Sequence, residues 1–133
     1  MIYLATPYSH PDPRIRRYRF ESVTRVAGEL MNQGHHVYSP ITHSHPIAVA
    51  VGLPAGWDYW EPFDRVMLAA CSEMRVLQLC GWDVSVGVAA EISLAEEMGI
   101  DVSFTHPSDW ESLIHHGHET TPGTGPETAQ DGR

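Results

Sequence analysis

Four short apolar runs, at 1–6, 35–39, 74–79 and 100–104, recur along the chain, each separated from the next by a segment of helical period. This alternation constrains the fold more than any other feature. Strands joined by helical crossovers lie parallel, and a sheet covered by helices buries both of its faces, which favours short apolar runs over strict alternation. An α/β fold with a mainly parallel sheet is expected. Between the first two runs, Val23, Val26, Ala27, Leu30 and Met31 recur at helical offsets, so one face of a helix over 14–33 is buried, and Gly34 closes it. A second helix is expected over 58–72, with Asp58 as N-cap and Trp60, Phe63, Met67 and Ala70 inward. A third runs over 86–98 and stops at Gly99, and a short fourth covers 108–115.

In open parallel sheets ligands bind beyond the carboxyl ends of the strands. Three segments lie there: 7–13, with three prolines, 39–57, and 80–86. Residues 40–57 are rich in Pro, Gly and His and read as a loop over the site, with a turn of helix at 47–51. One α/β domain is expected over 1–116. The tail 117–133 is mostly Gly, Pro, Thr and Glu, with no apolar residue larger than alanine, and reads as disordered.

Charge narrows the ligand. Against 17 acidic residues stand 8 basic ones, all arginine, for a formal charge of -9. Such a balance disfavours a nucleic-acid polymer, which must have many phosphates neutralised, and favours a small molecule. The two cysteines, Cys71 and Cys80, form no disulfide framework or zinc spacing, and a reducing compartment fits. No apolar run approaches the ~20 residues of a membrane span, and no membrane partner is expected. The protein reads as cytoplasmic.

The segment Ser85-Val86-Gly87-Val88-Ala89-Ala90-Glu91 carries the strongest chemical signal. Ser85 is placed to cap a helix, Gly87 lets a ligand approach the first turn, and the free N–H groups there favour an anion. Glu91 falls on the same face as Val88 and Ala95. Either it borders that stripe and reaches solvent, or it is a functional acid within it. Asp64 repeats the anomaly between Trp60 and Met67, where it either pairs with Arg65 or Arg14 or serves a site. Both helices flank the run at 74–79, so both carboxylates can project over one crevice. Two carboxylates around a small pocket are able to do glycosidic chemistry, one as nucleophile and one at the leaving group.

Five of the arginines, Arg14, Arg16, Arg17, Arg19 and Arg25, follow the first strand, where Ser9 and the loop backbone also sit. Most are expected on a solvated helix face, with one or two, Arg14 foremost, reaching a ligand phosphate. In Thr42-His43-Ser44-His45, two histidines at i, i+2 lack a third metal ligand of fitting spacing. No metal and no cofactor is expected, and His43 or His45 is instead expected to line the pocket. Trp57, on the loop side, is the candidate aromatic to stack on a planar ligand. Cys80 reads as a buried or half-buried thiol.

The opening Ile2-Tyr3-Leu4-Ala5-Thr6-Pro7-Tyr8-Ser9, the helix carrying Asp64, and Ser85-x-Gly87-x-x-x-Glu91, in that order, resemble the nucleoside 2-deoxyribosyltransferase superfamily. This group contains base-exchanging transferases and hydrolases that release a base from a nucleoside 5'-monophosphate. The resemblance spans about residues 1–105. It implies a flavodoxin-like, Rossmann-like three-layer sandwich with a four- to five-stranded sheet, and a homodimer or higher homo-oligomer that completes each site. It implies that Glu91 is the nucleophile that becomes glycosylated, that Tyr3 orients it, and that Asp64 assists the departing base. Tyr8 belongs to the matching opening and is expected at the substrate. Ser85 matches the nucleotide hydrolases, since the free-nucleoside transferases tend to have an acid there. Pro11 and Pro13 depart from the glycine-rich segment of those hydrolases. The expected activity is hydrolysis of the N-glycosidic bond of a (deoxy)nucleoside 5'-monophosphate. Base exchange, glycosidic cleavage of a dinucleotide such as NAD, and a non-catalytic nucleotide sensor are the alternatives.

Overall fold

The computed structural model describes residues 1–109. The expected last helix beyond Asp109, the domain boundary at 116 and the tail 117–133 lie outside them. Four strands, β1 (Ile2–Ala5), β2 (Val37–Tyr38), β3 (Glu73–Leu77) and β4 (Asp101–Thr105), form one sheet in the order β2-β1-β3-β4, every pairing parallel. Four helices connect them: α1 (Pro13–Asn32), α2 (Pro40–Val51), α3 (Trp57–Ala69) and α4 (Val86–Glu97). The result is a three-layer α/β sandwich of flavodoxin-like form.

β1 shows why its sequence is apolar throughout. Ile2 and Leu4 point to one face and pack with Val23, Val26, Ala27 and Leu30 of α1. Tyr3 and Ala5 point to the other and pack with Leu68 at the end of α3 and with Val88, Leu94 and Ala95 of α4. The period of two thus sends Tyr3 toward α4, where Glu91 lies.

The segment expected as a loop over 40–57 is in large part a helix. Ser39 caps α2, its hydroxyl accepting from the Thr42 N–H at 3.2 Å, and Pro40 occupies the first turn, where a missing N–H costs nothing. Gly52, at φ 73°, ends the helix in the left-handed conformation. Pro46 inside it hid the helix from a sequence reading. α2 leans on α1 through a 2.7 Å hydrogen bond between the Thr24 and Thr42 hydroxyls and a stack of His45 on Phe20, with centroids 4.2 Å apart.

α3 is rotated from its expected phase. Its buried residues are Asp64 and Leu68, whereas Phe63 and Ala70 are exposed. Gly56 is its N-cap and Asp58 lies in the first turn. Cys80 is exposed rather than buried, and Cys71 is buried. Among the described residues no helix is long and apolar enough to cross a membrane.

Candidate functional site

The strand order changes direction between β1 and β3, and the loops that leave these strands diverge to opposite sides of the sheet. A cavity of about 670 Å³ opens there. The loop after β1 contributes Thr6, Tyr8, Ser9 and His10, α1 contributes Arg16, and α2 contributes Ile41, His45, Ala48 and Val49. Leu53 to Trp57, with Trp60, wall it on one side, and Val84 to Gly87 with Glu91 on the other. The lining mixes polar and apolar side chains, as expected of a pocket for a small molecule that carries both kinds of group.

Glu91 sits on the inner face of α4 with Val88, Leu94 and Ala95, and is 5% exposed. The Tyr3 hydroxyl, on a fully buried ring, donates to Glu91 Oε2 at 2.6 Å. Burial pushes the Glu91 carboxyl up to about 8, with the Tyr3 hydrogen bond opposing and the charge of Asp64 adding to the rise. Burial and the two carboxylates hold the Tyr3 phenol far above its ordinary value, so its proton stays in place as a donor. Asp64 is 7% exposed, and burial, then Glu61, raises it to about 7. It stands behind the cavity wall rather than in its lining, close enough for its charge to act on both Tyr3 and Glu91.

Ser85 caps α4 by accepting from the Val88 N–H at 3.2 Å. An added Cβ at Gly87 would meet nothing nearer than Ser85 Oγ at 3.9 Å, so glycine here leaves the first turn open to the cavity. Tyr8 and His45 meet through a 2.5 Å hydrogen bond to Nδ1. His45 is pushed down by burial and by Arg16 and Arg17, while burial raises Tyr8. Which of the two donates is set by the imidazole tautomer. Trp57 is half-buried in the wall, beside Trp60, whose Nε1 donates to the Pro54 carbonyl at 2.8 Å.

Besides Tyr3 and Asp64, two further expected residues lie outside the lining. Arg14 pairs at 3.0 Å with Asp12, the N-cap of α1, and faces solvent. The cavity arginine is Arg16, which donates to the His10 carbonyl. His43 stacks on Phe63, centroids 5.4 Å and planes 7° apart, because residues two apart on a helix point to different sides. Asp83 is exposed in the short turn Trp82–Val84, outside the lining.

Sequence reasoning passed over Arg19 and Thr6. Arg19 is buried and donates to the Ser9 carbonyl at 3.0 Å and the Cys80 carbonyl at 2.9 Å, clamping the loops after β1 and β3 together. Stepping back by four and seven from Val23 along the buried stripe of α1 reaches Arg19 and Arg16, a signal the sequence did hold. The Thr6 hydroxyl is buried, lines the cavity and has no protein partner. Among the described residues no three His, Cys, Asp or Glu side chains gather to hold a metal ion.

Residues 1–106 match the family model described as Domain of unknown function (DUF1937). No curated protein matches the chain.

Proposed function

The chain belongs to the DUF1937 family, and we propose that it hydrolyses the N-glycosidic bond of a (deoxy)nucleoside 5'-monophosphate through a covalent glycosyl-Glu91 intermediate. The observation that carries this reading is the buried carboxylate of Glu91 at the cavity, held by the Tyr3 hydroxyl at 2.6 Å. A carboxylate fixed by one donor keeps its second oxygen free to attack. The order of motifs shared with the nucleoside 2-deoxyribosyltransferases supports the same assignment.

In the first step a Glu91 oxygen bonds to the anomeric carbon as the C–N bond breaks, and Asp64, which lies outside the cavity lining, gives its proton to a bridging water that protonates the departing base. In the second, water bonds to that carbon, the ester to Glu91 breaks, and Asp64 recovers a proton from the water. Without substrate, burial raises both carboxyls, Glu91 to about 8 and Asp64 to about 7. The positive charge that develops at the anomeric carbon beside Glu91 favours its ionised form. Arg16, the Thr6 hydroxyl and the open first turn of α4 are the groups for a 5'-phosphate. Tyr8, Ser9 and His45 line the same cavity, and Trp57 in its wall is the candidate to stack on the base. The partner is a small nucleotide, in the cytoplasm, and the working unit a homodimer or higher homo-oligomer.

Incubating the protein with nucleotides and nucleosides, with and without an acceptor base, tests the reading. Release of free base from a monophosphate is expected, and exchange without net hydrolysis would instead identify a transferase. If the wild type turns over none of them, and Glu91→Gln binds ligand as the wild type does, the protein is a binding module.

A further inference from the structure

His45 of α2 is held from two sides. Tyr8, on the loop after β1, meets it edge to face through the 2.5 Å hydrogen bond at Nδ1, and Phe20 of α1 stacks on the imidazole with centroids 4.2 Å and planes 25° apart. Among the described residues no hydrogen bond engages Nε2, which is therefore the nitrogen left for a ligand. Tyr8 and His45 line the cavity, and so does Arg16. Arg16 stands one turn before Phe20 on α1, and residues four apart share a helix face, so the guanidinium and the imidazole border the same stretch of cavity. The charged and titratable groups that face His45 are Tyr8 on the loop and Arg16, Arg17 and Glu21 on α1. Arg17 and Glu21 pair with each other at 3.1 Å and their charges offset, so the charge set against a proton on His45 is that of Arg16, which the His10 carbonyl holds in place.

We propose that Arg16, His45 and Tyr8 form a proton-coupled site for a tetrahedral dianion: His45 takes up one proton as a phosphomonoester binds at Arg16, and its Nε2–H then donates to a phosphate oxygen. This rests on the reading of the cavity as a nucleotide site, and adds to it a group whose charge appears only with the ligand. One proton passes from solvent to the imidazole nitrogen that lacked one, no other covalent bond forms or breaks, and the ligand keeps both negative charges. The Tyr8 hydroxyl serves both states because it can give and accept: with Nδ1 bare it donates, and with Nδ1 protonated, as in the imidazolium, it accepts. Before binding, burial and Arg16 act against a charge on His45. A dianion cancels the charge of Arg16 and adds an attraction of its own, which favours the imidazolium. Proton and ligand are then linked, each tightening the other by the same factor. Arg16 keeps its charge at every pH, so it is His45 that makes affinity rise as pH falls through the window between the unliganded and liganded titrations.

Sulfate is the probe, because it is a tetrahedral dianion with no proton of its own near neutral pH, so any proton taken up goes to the protein. The His45 titration is followed in the wild type by imidazole nitrogen chemical shifts, with and without sulfate, the ionic strength being held constant with sodium chloride. Sulfate should move that titration upward by about one pH unit, a tenfold change in the acid dissociation constant. Its affinity should accordingly be about tenfold higher below the window than above it. In His45→Gln, which keeps a polar group but cannot take the proton, the affinity should not change with pH. Tyr8→Phe removes the acceptor for Nδ1–H and should shrink the shift. The wild-type titration needs no variant, so the test stands even where a variant fails to fold. Sulfate that binds without moving the His45 titration overturns the proposal, and so does a protein that binds neither sulfate nor a nucleoside 5'-monophosphate. Hydrolysis fails separately: an intact His45 shift with no base released from any monophosphate would sink that reading and leave the anion site, whereas base release with an unmoved His45 titration would sink the proton coupling alone.

Discussion

Glu91 and Tyr3 concentrate the chemistry of the site in one 2.6 Å contact. Glu91→Gln keeps the shape and an acceptor for Tyr3 but removes the proposed nucleophile, so base release should fall by about 10³-fold or more. The same variant has a stability signature. The Glu91 carboxyl is raised in the folded protein from 4.5 to about 8, so between those values the folded state holds a proton that the unfolded chain has lost. Stability is therefore fully present below about 4.5 and is lost as pH rises through about 8. Its slope is at most ~1.4 kcal/mol per pH unit from this group. Urea denaturation at acidic and mildly alkaline pH should show the wild type weakening, and Glu91→Gln weakening less. Tyr3→Phe removes the one contact that favours the ionised Glu91. Its kcat/KM should drop about 10-fold to 100-fold at neutral pH, and the acid limb of the profile should move upward. A limb that stays in place would mean that Tyr3 only packs.

The connections between elements carry as much of the site as the strands do. Arg19 on α1 reaches the carbonyls of Ser9 and Cys80, and Gly81 makes room for it: a Cβ there would lie 2.7 Å from Arg19 Nη2, and its φ of 95° disfavours any side chain. Gly81→Ala should cost about 1–2 kcal/mol from the backbone alone, read by chemical denaturation, and should raise KM by loosening both loops. The helices were legible to different degrees for physical reasons. α1 and α4 have apolar stripes that dominate their periodicity, and Glu91 was visible as a carboxylate on such a stripe. In α3 aromatic residues occur on two faces, so the choice of Trp60, Phe63 and Met67 put the burial one residue away from Asp64. Leu68 and Cys71 held the correct phase. In α2 the two prolines and the histidines concealed a helix whose cap, Ser39, was in plain view.

At the scale of the molecule, the reversal of strand order between β1 and β3 collects loops from distant parts of the chain around one cavity. A nucleoside 5'-monophosphate should raise the melting temperature in step with its concentration, and the parent nucleoside should do so less. Arg16→Ala should erase that difference, while Arg14→Ala, at a side chain paired with Asp12 in solvent, should not. The cavity is open, and exposed Tyr59, Phe63 and Val66 run along the outer face of α3, with exposed Val84 and Val86 before and at the start of α4. The proposed homo-oligomer would cover such apolar surface. Sedimentation should give at least twice the 14.8 kDa of the chain, and Val66→Arg should shift it toward the single chain.

The sequence by itself determined the parallel α/β architecture, the helix stripe on which Glu91 lies, and the end of the sheet at which the cavity opens. These follow from periodicity, which is a local property of the chain. Only the tertiary structure decided which arginine meets the cavity, that His43 and His45 part company, and that Tyr3 and Tyr38 stand side by side on one face of the sheet. Those facts depend on helix phase and on strand register, and both are set by packing between residues far apart in the chain. The charge of -9 acquires its meaning in the same way: two of the acids, Asp64 and Glu91, are buried, and the arginines that count are the two on the inward stripe of α1.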